Sequence, residues 1–113
     1  MKSLNFTILE SELRNKTKTQ TIRTLFIPNF YVRDIVWIKF KKKRLYQVRI
    51  TLIEAKRLKD ITLLEARKDG FETIKECQKA VMELNGIRSL EHWSFIIQWK
   101  PLDFYPINKR WTK

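Results

Sequence analysis

Glycine and proline are scarce in this chain, with two and three copies among 113 residues. That scarcity excludes collagen-like repeats and long flexible linkers. It also removes the glycine-rich strand-to-helix turn that cradles phosphates in α/β nucleotide-binding folds. A lone cysteine, Cys77, allows no internal disulfide, which suits a reducing compartment. The lone histidine, His92, lies well away from Cys77 with no ligand spacing, so no metal centre is expected. A Ser-His-Asp triad is equally unsupported, because no nucleophile motif accompanies His92. No stretch reaches the about 18 apolar residues of a membrane span, and Met1–Phe6 lacks the apolar run of a secretory signal. The expectation is a cytoplasmic protein without cofactor or membrane partner. Carboxylates are the last deficit. Against 24 lysines and arginines stand only 12 acidic residues, a formal charge of +12. Solubility needs a magnitude of about 2–8, and an excess of this size draws polyanions to the surface.

What is present is enough for one core, with 43% apolar residues and 12% aromatic ones in a length typical of one domain. Leu4, Phe6 and Ile8 alternate as in a short strand, and Leu9 and Leu13 bracket a short helix over Glu10–Arg14. The Thr-rich stretch Lys18–Arg23 reads as a second strand, ended by the Pro28-Asn29 turn signal. Asp34–Phe40 is apolar on both faces except Lys39, as in a central strand. Lys41, Lys42, Lys43 and Arg44 then form a tight cationic turn into the period-2 strand Leu45–Ala55. No Asn-Gly or Asp-Gly pair marks that turn's type. Asp60 is the expected N-cap of a helix over Ile61–Lys68, with Gly70 as its stop. Thr73 caps a second helix carrying Ile74, Cys77, Val81 and Leu84, ended by Gly86. Cys77 on that face reads as a small buried hydrophobe. Trp93–Trp99 is the last strand.

The order β-α-β-β-β-α-α-β predicts a mainly β, α+β domain, a small barrel with flanking helices spanning residues 1–100. Residues 101–113 form a basic, aromatic tail with Lys109 and Arg110.

The chemistry gathers at Lys16-Thr17-Lys18-Thr19-Gln20-Thr21-Ile22-Arg23. In an extended segment alternate side chains take opposite faces, and a turn at either end lets both sets converge on one pocket. Ammonium, guanidinium and hydroxyl groups so gathered suit a phosphate or a polar base edge. These residues resemble the signature of the ASCH family, Gly-x-Lys-x-x-Thr-x-Arg, with Lys18, Thr21 and Arg23 in place and Lys16 where that family has glycine. Two further landmarks are similar. Asp69-Gly70-Phe71 stands where the family has Glu-Gly-Phe, and Val32-Arg33-Asp34 stands where it has a Val-Gly-Asp turn. The resemblance covers roughly residues 4–100 and implies a PUA-like β-barrel with a cleft lined by the motif.

Three readings follow. In the first, RNA or a nucleotide binds a basic cleft of Lys16, Lys18, Thr21 and Arg23, while Lys41–Arg44, Lys109 and Arg110 track the backbone. Trp37, Tyr46, Trp93 and Trp99 are candidate stacking groups, and DNA stays open as a partner. In the second, the resemblance implies an amidohydrolase acting on a modified nucleoside such as N(4)-acetylcytidine, with Lys18, Thr21 and Asp69 as its catalytic set. A lysine desolvated in a pocket can serve as base at neutral pH, and Arg23 can hold an oxyanion. In the third, the basic face docks on an acidic protein, or the tail mediates self-association. The oligomeric state is not legible from the chain.

Overall fold

The computed structural model describes residues 2–24 and 30–102. The expected Pro28-Asn29 turn lies outside the described residues, as does the tail from 103 onward with Lys109 and Arg110. Among the described residues, the strands are β1 (Ser3–Phe6), β2 (Gln20–Arg23), β3 (Ile35–Phe40), β4 (Lys43–Arg57) and β5 (Trp93–Pro101). The helices are α1 (Glu10–Arg14), α2 (Leu63–Lys68) and α3 (Ile74–Asn85), with a 3-10 turn at Leu58–Asp60. Their succession is the one expected from the sequence.

The strands form one mixed sheet in the order β1-β3-β4-β5-β2, parallel between β1 and β3 and antiparallel elsewhere. It curves into a half-barrel. Strand β4 holds the sheet together, because its first half pairs with β3 and its second half with β5. Register shifts at Ile38/Lys39 and Ile50/Leu52 add the local twist that curvature requires.

Period-2 alternation sends Leu4, Phe6, Val36, Ile38, Phe40, Val48, Ile50, Ile97 and Trp99 into one core, closed by Leu13 of α1. A second core lies on the other side of β2 and β5, where Ile22 and Ile96 meet Leu58, Ile61, Ala66, Cys77 and Val81. The helices therefore cover the β5–β2 end of the sheet.

Three local expectations are corrected. Ile8 lies beyond β1, which ends at Phe6, and is exposed. Asp60 does not cap α2, because it belongs to the 3-10 turn. Thr62 is the cap, its hydroxyl accepting from Glu65 N while the Glu65 carboxylate accepts from Thr62 N. The cationic turn is narrower than Lys41–Arg44: only Lys41 and Lys42 turn, and Lys43 and Arg44 already pair in β4. Thr73 and Gly86 do delimit α3, Gly86 in the left-handed conformation that ends a helix.

Candidate nucleic-acid cleft

The segment entering β2 is pinned before the strand begins. Lys18 N donates to Glu12 O at 3.0 Å, Thr19 N to Lys68 O at 2.8 Å, and Trp99 N to Thr19 O at 3.1 Å. Lys18 is thereby held between α1 and the end of α2. Its ammonium donates to the main-chain oxygen of Asp69 at 2.6 Å and lies 3.3 Å from Asp69 Oδ2. Both residues are nearly sealed from solvent, at 3% and 4% exposure.

Asp69 is presented by the end of α2, where it is the C-cap. The next residue, Gly70, has φ +99, and a Cβ there would stand 2.9 Å from Leu9 Cδ1. The left-handed φ is what calls for glycine here, and a Cβ would in addition displace the end of the Leu9 side chain.

Thr21 and Arg23 share a face of β2. Arg23 Nε donates to Thr21 Oγ1 at 3.1 Å, and Nη2 donates to Asn5 O on β1 at 3.0 Å. The Phe6 ring lies 5.4 Å from Lys18 Nζ and 5.0 Å from Arg23 Cζ, so both cations face aromatic density.

Lys18, Thr21, Arg23 and Asp69 together line a cleft of about 200 Å³. Asn5 and Phe6 of β1 form one wall, and Phe71, Val81, Leu84 and Asn85 form the opposite one. Sequence reasoning missed Asn5, Phe6, Leu84 and Asn85. Their polar or apolar character was legible, but Asn5 and Phe6 converge through the approach of the sheet's two ends, and Leu84 and Asn85 through the packing of α3 against β2.

Burial governs the electrostatics. Desolvation lowers the Lys18 pKa against the opposing pull of Asp69, and it raises that of Asp69 against the opposing pull of Lys18. It also lowers the pKa of Arg23, which Asp69 partly offsets. Asp69 Oδ1 is buried without a hydrogen-bond partner among the described residues. Cys77 Sγ lies 4.0 Å from Asp69 Oδ2, and burial pushes its thiol up to about 12, so it packs as the expected inert residue.

The other candidates disperse. Gln20 does not line the cleft; it donates to Glu65 O at 2.8 Å and accepts from Gln98 Nε2 at 2.9 Å, and its side chain is still close enough to Asp69 to favour the carboxylate form. Lys16 is not in the cleft lining; its ammonium sits 5.2 Å from the Tyr46 ring centre. Tyr46 donates to Leu13 O at 2.6 Å, and Trp99 is a core residue, so both serve the fold. Trp37 is half-buried with the Arg44 guanidinium 4.9 Å from its ring centre, and the exposed Trp93 has Arg57 at the same distance. His92 precedes β5, its Nδ1 2.9 Å from Trp93 O. No group of three or more potential metal ligands occurs among the described residues.

The hairpin tip adjoins the cleft through two residues, and Phe6 O accepts from Lys41 N at 2.8 Å. Asn5 Oδ1 accepts from Lys42 N at 2.7 Å, while Asn5 O accepts from Arg23.

No protein-family model matches the chain, and no curated protein matches it. Solved structures do. A crystal structure of an ASCH domain from Lactobacillus crispatus superposes with a TM-score of 0.66 at 14% identity, covering 88% of this chain and 79% of that one. A protein from Enterococcus faecalis, assigned to the family model DUF984, gives 0.67 at 11% identity, covering 91% and 82%. The half-barrel with its three helices therefore has the fold of an ASCH domain.

Proposed function

We propose that the chain binds RNA or a nucleotide by lodging one base in the Lys18–Thr21–Arg23 cleft. The observation that carries this reading is Asp69 Oδ1, a buried acceptor with no hydrogen-bond partner within 3.5 Å among the described residues, on a carboxylate beside two desolvated cations. A buried polar atom left unpaired costs about 1–3 kcal/mol, and a ligand N–H placed there recovers it. A base edge offers such an N–H next to a ring nitrogen or carbonyl that Lys18 or Arg23 can serve. Size agrees. The cleft's about 200 Å³ falls below the roughly 300–1,000 Å³ of drug-sized sites, which fits a single heterocycle between Phe6 and Phe71. Lys41, Lys42 and Lys43 at the hairpin tip, tied to the cleft through Asn5, would meet the attached phosphate.

Titration of a short structured RNA at two salt concentrations tests the reading, comparing the native chain with Arg23→Gln and Lys18→Met/Asp69→Asn. Binding that weakens at least tenfold in both variants is expected. Equal affinity across the three proteins removes the cleft from RNA recognition.

One observation favours amide hydrolysis as a second reading. Burial lowers the proton affinity of Lys18, as a general base requires, and the Thr21 oxygen accepts from Arg23, leaving its hydrogen to give. Acetate released from N(4)-acetylcytidine by the native protein, and not by Lys18→Met/Asp69→Asn, would decide for it.

A further inference from the structure

The uncovered face of the β1–β3–β4 end of the sheet is unusual in its charge. From Ile35 to Ile53 the chain carries six cations and no carboxylate. Strand register places them. Lys39 stands directly opposite Arg44, and Arg49 directly opposite Lys100. Like charges opposed across a ladder repel, and sheets avoid them unless something intervenes. Among the described residues none of these four has an acidic partner, although six other cations do.

Trp37 lies between the two pairs. It is opposite Ser3 and Gln47, half-buried, with the Arg44 guanidinium over its ring. The core lies on the other side of the sheet, with Val36, Ile38 and Val48, and α2 and α3 pack beyond β5. Among the described residues nothing packs over this face, which presents an aromatic ring framed by four cations without acidic partners.

The geometry points to a second contact surface for single-stranded RNA, continuous with the cleft. A sheet face that offers a ring for stacking and cations for phosphates is a recurrent platform for single strands. Arg44 does not block it, because a guanidinium plane is itself a stacking partner for a base. The two surfaces meet at Asn5, which lines the cleft on one side and stands opposite Lys39 on the other. A strand with one base in the cleft passes over the β1 edge and lays its next bases on Trp37. Repulsion between the opposed cations is then relieved by phosphates. This rests on the RNA reading of the cleft.

The test compares a nucleoside monophosphate with a ten-nucleotide single-stranded RNA and a ten-base-pair DNA duplex. The proteins are the native chain, Lys39→Gln/Arg49→Gln/Lys100→Gln, Trp37→Leu and Arg23→Gln. The native chain is expected to bind the RNA far more tightly than the monophosphate. The triple variant should lose about two units of the RNA salt slope, at roughly 0.7 per phosphate contact, and keep its monophosphate affinity. Trp37→Leu should weaken RNA binding about tenfold. Unchanged RNA affinity and slope in both face variants overturns the platform, and so does an RNA that binds no more tightly than the monophosphate. A duplex preferred over the single strand overturns the proposed occupant. The cleft fails separately, if Arg23→Gln leaves monophosphate binding intact.

Discussion

Lys18 and Asp69 form a pair whose burial is costly, and the fold accepts the cost at the cleft it lines. Removing one member of such a pair strands a charge, at about 3–5 kcal/mol, whereas neutral groups of similar volume at both positions are often tolerated. Lys18→Met alone should therefore destabilise the chain by about 3–5 kcal/mol in urea, and Lys18→Met/Asp69→Asn should recover most of that loss. The pH dependence has a definite sign. Asp69 is raised above its ordinary 3.8, so its contribution is full below that value and is lost as pH rises through the folded pKa. Lys18 is lowered from 10.5, so its contribution is full above 10.5 and is lost as pH falls through the folded pKa. Relative to the double variant, the native chain should be least stable between the two folded values and gain on either side. A difference independent of pH would show that the pair is not desolvated. The motif residues were legible because three polar types recur at fixed spacing. Phe6 and Asn5 were not, since nothing local distinguishes a strand residue that happens to face the other end of its own sheet.

At the level of elements, two kinds of signal behaved differently. Alternation located β1, β3, β4 and β5 because each buries at least one face, and burial is what periodicity reports. Turn and cap chemistry was less secure. Asp60 and Thr62 are both good caps, and the deciding residue was Glu65, three beyond Thr62, which completes the reciprocal pair of bonds. The β3–β4 turn was unreadable for another reason: it uses lysine where glycine and asparagine are usual. Lys41 and Lys42 have φ of 48° and 71°, the positive pair of a type I′ hairpin turn, and Lys42 N is tied to Asn5. Left-handed backbone costs a non-glycine residue about 1–2 kcal/mol. Lys41→Asn/Lys42→Gly should therefore stabilise the chain by about 1–2 kcal/mol, raising the denaturation midpoint at unchanged slope. A lowered midpoint would mean that the two lysines make contacts worth more than that strain. Lys16 and Arg33, at φ 64° and 82°, repeat the pattern at the two places where the resembling family has glycine. The left-handed backbone that glycine adopts freely occurs at both positions on a lysine and an arginine.

For the whole molecule, the two cores on opposite sides of one sheet leave charge to settle at the uncovered end. A formal charge of +12 on a domain this small repels itself, and such repulsion weakens the compact state. Salt screens it, with a Debye length of about 10 Å at 0.1 M. Raising sodium chloride from about 0.01 to 0.3 M should raise the melting temperature by a few degrees, read by circular dichroism. A fall would show that surface pairs such as Lys2–Asp34 and Lys59–Glu91, which salt also screens, outweigh the excess. The same salt weakens polyanion binding, so stability and affinity should move in opposite directions as ionic strength rises.

The hydrogen bond from Arg23 to the main-chain oxygen of Asn5 spans the sheet's first and last strands, which share no ladder. Such a seam works as a clasp. Releasing it forfeits one charge-assisted bond, about 1.5–3 kcal/mol, and leaves every strand pairing intact. Arg23 thus ties the two edges at the cleft by this bond and by its place over the Phe6 ring. A guest of the kind proposed, by taking the guanidinium for itself, would open its own doorway, and the same contact that admits it would hold it.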